Sequence, residues 1–170
     1  MAYSRDSALN VHKDYKENVM NWEYYIRSYN GGYDYTLGQY LNRYNLELDN
    51  EFNQRLANTP CDNHCRNVIQ IYSSFLFRVK PSRDFGSMSE EQSLDTFLKD
   101  ADLDGNNFNN VIKQAQNYSS IYGHCFMILD KPNLTLGTRA EELQQDIRPY
   151  ISIVTPENVL DWNFKREPNG

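Results

Sequence analysis

Cys61-Asp62-Asn63-His64-Cys65 brings two thiols and an imidazole within five residues, and His124-Cys125 adds a second such pair further on. Soft donors of these kinds make up structural tetrahedral zinc sites. The spacing weighs against zinc, because one C-x3-C pair without a second lacks the knuckle that usually closes around the ion. Cys61 and Cys65 also lie four apart on a helical face that continues through Val68, Ile69 and Tyr72. A free cysteine behaves as a small apolar residue. The favoured expectation is therefore core packing for both thiols, with His64, one position off that face, at a boundary or on the surface.

Asp100-Ala101-Asp102-Leu103-Asp104-Gly105 resembles the opening of a calcium loop, with oxygen donors at alternating positions and glycine at the sixth. Calcium in such a loop needs a bidentate glutamate at the twelfth position, and Val111 stands there instead. Asn107, placed to cap a helix, would also cut the loop short. A polar turn between helices is expected from Asp100, Asp102 and Asp104, and a divalent ion is the alternative.

Arg78, Lys80 and Arg83 form the one local basic cluster. At the end of a helix these charges complement the dipole; the sharper possibility is contact with DNA phosphate. No G-x-S-x-G, phosphate-binding glycine loop or H-E-x-x-H occurs, and His12, His64 and His124 are too scattered to propose a triad. No catalytic residue and no cofactor is expected.

The elements that must hold these groups follow from periodicity. Val19, Trp22, Ile26 and Tyr29 share one helical face, closed by Asn30-Gly31-Gly32. A tyrosine- and glycine-containing loop follows, then a short helix near 50–58. Thr59, Pro60 and Asp62 read as cap, first position and first-turn acid of the next helix, whose stripe is Val68, Ile69, Tyr72, Leu76 and Val79. Ser89-Glu90-Glu91-Gln92 precedes a helix through Leu94, Phe97 and Leu98. Asn107 opens another, with the stripe Phe108, Val111, Ile112, Ala115 and Tyr122, and Gly123 stops it. A strand is expected over 124–129 and a second through Tyr150, Ile151, Ile153 and Val154. Thr155-Pro156-Glu157 follows the second strand as a helix-like start. Between the strands, the charged EELQQDI segment predicts a helical turn or two. Helices first and strands last give an α+β class, with N-terminal helices packed on a small, mostly antiparallel sheet.

A chain of 170 residues supports one domain with a core, expected over 16–170 behind an arm at 1–15. Thirteen tyrosines and eight phenylalanines supply much of the apolar area. Tyr24, Tyr25, Tyr33 and Tyr35 suit either a contact between subunits or the rim of the core. The net charge of −6 argues against a protein that reads DNA by gripping its backbone. No apolar run has the length of a membrane span or a signal-peptide core, so no membrane partner is expected. Three cysteines fit a reducing compartment better than a disulfide framework. Phe164 onward reads as a strand entering a hairpin without its return, as expected of the N-terminal piece of something longer.

Five segments, in order, resemble the N-terminal region of a family of tailed-phage portal proteins. They are Trp22 with Ile26-Arg27, Gly31-Gly32 and Tyr40-Leu41; Phe52-x-x-Arg55-Leu56 with Asn67 and Phe77-Arg78-x-x-Pro81; Thr96 to Asn106; Tyr122-Gly123 through Leu129-Asp130-x-Pro132; and Ile153-x-x-Pro156 through Trp162. Cys61, His64 and Cys65 lie outside that pattern. The resemblance implies the wing, the outer body of a portal, with stem, clip and crown expected beyond Gly170. It implies a homo-oligomeric ring, usually a dodecamer, at one capsid vertex in the virion, assembled in the host cytoplasm. Its partners would be the major capsid protein, the packaging terminase, tail or adaptor proteins, and duplex DNA passing without sequence recognition during packaging and ejection. The competing expectation is a small zinc- or calcium-binding interaction module.

Overall fold

Helix α1, Lys13–Asn30, starts where His12 turns its ring back and accepts the Asp14 amide on Nδ1. The range expected as an arm therefore overlaps a helix that begins at Lys13. The computed structural model describes residues 11–59, 62–132 and 147–163. After α1 come α2 (Gly32–Leu37), α3 (Asp49–Asn58), α4 (His64–Leu76), α5 (Gln92–Lys99) and α6 (Phe108–Tyr122). Strands β1 (Phe126–Asp130) and β2 (Tyr150–Val154) follow, with 3-10 turns at Gly86–Glu90 and Pro156–Asn158. The chain is α+β: six helices and a two-stranded antiparallel sheet among the described residues.

Two compact units divide it, Met1–Ile69 with Pro156–Gly170, and Gln70–Thr155. The domain expected over 16–170 spans both units. Periodicity finds elements, but not which of them share contacts, so a division falling inside α4 leaves no mark in composition.

In the first unit, α1 packs against the Pro156–Asn158 turn. The Tyr15 hydroxyl donates to the Glu157 carbonyl oxygen at 3.0 Å, and the His12 amide donates to that of Leu160 at 2.9 Å. The His12 ring stacks on Trp162 with centroids 4.0 Å apart, and Trp22 is buried edge-on to Tyr15. Gly31 ends α1 at φ 66, a left-handed value that glycine takes without strain. A Cβ there would come within 2.9 Å of Asn63 Nδ2. That amide donates to the Tyr29 and Asn30 carbonyl oxygens, and Asn63 Oδ1 accepts the Arg66 amide. Asn63 thus caps α4 and ties its start to the end of α1. Thr59 instead ends α3, donating its amide and hydroxyl to the Arg55 carbonyl oxygen. The helix expected from Pro60 begins four residues later because Asn63 offers the stronger cap; Pro60 and Cys61 lie outside the described residues. The segment expected as a loop after Gly32 carries α2 in its first half.

In the second unit α6 matches expectation at both ends. Asn107 accepts the Asn110 amide, and Gly123 closes the helix at φ 88 in the left-handed region. β1 pairs with β2 in the register Phe126 with Val154, Leu129 with Ile151. Ala101, Val111 and Ile151 form the core, with Phe97, Phe108 and Ile153 packed around them. Ile151 and Ile153 lie on one face of β2, so α5 and α6 cover that half of the sheet. On β1 the same face carries Met127 and Leu129, which stay exposed. The helical turns expected between the strands, and the strand expected from Phe164, lie outside the described residues.

The α4 stripe is the main correction. Val68, Tyr72, Leu76 and Val79 are exposed, as are Ile71 and Phe75 beside them, and Cys65 is exposed on the same side. The buried side runs through Ile69 and Phe77, both half-buried, to Ser73 at 2 % exposure. Spacing identifies an apolar face but not whether this chain covers it.

Candidate functional site

The polar chemistry concentrates in two loops, one in each unit. In the second unit the chain turns between α5 and α6 at Asp100–Asn106. Asp102 accepts the Asp104 amide at 3.0 Å, the Asn106 amide at 3.1 Å and Asn106 Nδ2 at 2.7 Å. Partial burial opposes its charge, but these bonds outweigh that and hold its carboxyl below the usual aspartate range. Asp100 Oδ1 accepts the Gly105 amide, while Arg148 donates to Asp100 Oδ2 at 2.6 Å and to the Asp100 carbonyl oxygen. Leu103 turns the chain at φ 66 and Gly105 at φ 90. The loop exists to deliver Ala101. That residue is fully buried, donating its amide to the Asn106 carbonyl oxygen and accepting the Ile151 amide, both at 2.7 Å. Of the carboxylates a calcium loop would turn inward, those of Asp100 and Asp102 are engaged by amides and a guanidinium, and Asp104 is exposed.

Arg148 is the residue the sequence reading missed. A lone arginine before a strand carries no local signal, and its partner lies 48 positions away.

The basic cluster separates on inspection. Arg78 and Lys80 are exposed. Arg83 donates to Asn109 Oδ1 at 2.6 Å, with its guanidinium 4.9 Å from the Phe108 ring centroid, so it belongs to the packing of its own unit. Cys125 is half-buried at the foot of α6, its thiol donating to the Ala115 carbonyl oxygen and sharing a contact with Ser119 Oγ. His124 is exposed and meets Phe126 edge-on. In the first unit His64 is exposed, at the start of α4, as expected. Core packing for Cys65 is overturned by its exposure on the stripe side of the helix, and Cys61 lies outside the described residues. Among the described residues, no three histidine, cysteine, aspartate or glutamate side chains converge on one point.

The second loop, between α2 and α3, is organised by Glu47. Arg55 Nε and one of its terminal nitrogens each reach a Glu47 carboxylate oxygen at 2.8 Å, and the Tyr44 amide adds a third bond at 3.2 Å. Arg55 also donates to the Asn42 carbonyl oxygen and lies 4.8 Å from the Tyr44 ring centroid. The Arg55 hydrogen bonds above all, against partial desolvation, lower the Glu47 carboxyl to about 2. Beside this loop is an open cleft of about 280 Å³, lined by Tyr35, Thr36, Tyr40, Leu41, Leu56, Thr59 and Asp62. Tyr24 meets Tyr40 edge-on at 4.7 Å, and Tyr35 lies 5.2 Å from Tyr40. Of the tyrosines expected at a contact or a rim, Tyr24 and Tyr35 join this cluster, Tyr24 and Tyr25 keep an exposed edge, and Tyr33 faces solvent. The cleft walls are mainly aromatic and aliphatic, which suits binding or packing more than proton transfer.

No described helix is long and apolar enough to cross a membrane. The sequence matches no family model and no curated protein.

Proposed function

We propose that this chain is a structural, non-enzymatic subunit: the wing segment of a phage portal. It would assemble into a closed ring at one capsid vertex, through which DNA is packaged and ejected, with no reaction of its own. The observation that carries the reading is the order of elements. α6 stops at a left-handed Gly123, β1 and β2 form an antiparallel pair, and a proline-led turn at Pro156–Asn158 follows. The segments that carry the portal resemblance run through these elements and through the helices and connecting stretches before them.

Exposure supports the same reading. Among the described residues eight apolar side chains are buried, whereas nineteen large ones are exposed, an imbalance that association relieves. In a ring the contacts are head-to-tail, each copy offering two different faces. The capsid, terminase and tail or adaptor proteins are the remaining partners of this reading, and the virion is its location. Duplex DNA would pass as cargo; with a net charge of −6 the chain repels phosphate on average, which favours passage over retention.

Native mass spectrometry of the complete gene product tests the proposal. A dominant species of about twelve subunits supports it. A monomer at every concentration, or measurable turnover of a substrate, counts against it.

A further inference from the structure

From the exposed side of α4 we infer that Ile71, Tyr72, Phe75, Leu76 and Val79 form a contact between copies of this chain. The inference deepens the ring reading by naming one of its faces. Their spacing of three and four residues makes one continuous stripe, in which Val79 lies just past the helix end. All five are exposed by more than half. Five such side chains present roughly 600 Å² of apolar surface, against about 800 Å² that each partner contributes to a standard stable interface. The stripe therefore supplies most of one side of such a contact.

Charge marks it further. From His64 to Leu76 the only formal charge is on Arg66, in a chain where 24% of residues are charged. Loss of charge with enrichment in aromatic residues distinguishes the centre of an interface from ordinary surface. Formal charge returns only at the end of the stripe, where exposed Arg78 and Lys80 flank Val79. A second copy fits because this chain also exposes apolar surface elsewhere, at Met127 and Leu129 on the uncovered half of the sheet. Helix stripe and strand face are different surfaces, as head-to-tail association requires.

Sedimentation velocity on the intact chain provides the test, comparing wild type with Tyr72→Glu and Phe75→Glu. Gln70→Glu, an exposed position on another side of α4, serves as control. Because the two stripe residues are exposed, both variants should keep the wild-type circular dichroism spectrum. The expected result is an oligomer for wild type and Gln70→Glu, and at least a tenfold weaker association for each stripe variant. Oligomers of unchanged affinity in the folded stripe variants would overturn the inference while leaving the ring standing. A wild type that stays monomeric at about 100 μM would overturn it too, leaving the stripe to a different protein. Small or open oligomers that depend on the stripe would support the contact and remove the ring.

Discussion

Glu47 shows how one ionisable side chain orders a stretch of irregular backbone. Its folded value of about 2 lies below the 4.5 of an unperturbed glutamate. The stabilisation is therefore complete above about pH 4.5 and is lost as pH falls towards 2. Urea midpoints measured across that window should decline for wild type, and Glu47→Gln should flatten the decline. Arg148 does comparable work in the other unit, holding Asp100 so that Ala101 stays in the core. Arg148→Met leaves a half-buried carboxylate without its cation and should cost about 1–3 kcal/mol in chemical denaturation. A change below a few tenths would mean that the loop holds itself. Ser73 is the converse case: its hydroxyl is buried without a hydrogen-bond partner among the described residues. Ser73→Ala should be neutral or stabilising by up to about 1 kcal/mol, because it removes an unsatisfied group.

At the scale of elements, α6 and α4 mark how far the sequence could be read. Asn107 and Gly123 carry their capping roles in their own chemistry, so both ends of α6, and the strand after it, were legible from local residues. The α4 stripe was equally visible, but its direction was not, because burial depends on what the rest of the chain brings to that side. The Asp100–Asp104 loop was legible as a turn, whereas Arg148, its distant partner, was not. Two substitutions separate these cases. Val111, 1 % exposed, should lose about 2 kcal/mol on change to alanine, whereas Leu76→Ala should leave the stability of the dissociated chain nearly unchanged. Gly31→Ala meets both a left-handed backbone and Asn63, and should cost about 1–2 kcal/mol in thermal unfolding.

For the whole molecule the balance of buried and exposed apolar surface matters more than any single site. The described residues hold a modest core in the second unit and a buried Trp22 in the first, and leave a helix stripe and half a sheet face uncovered. On the proposed reading such a chain would be a component, and the portal is the assembly it would belong to. Rotational symmetry tests that account most directly. Electron microscopy of the complete gene product, averaged in end-on views, should give closed rings of about twelve subunits around a central channel. Solitary particles, or filaments that never close, would contradict it.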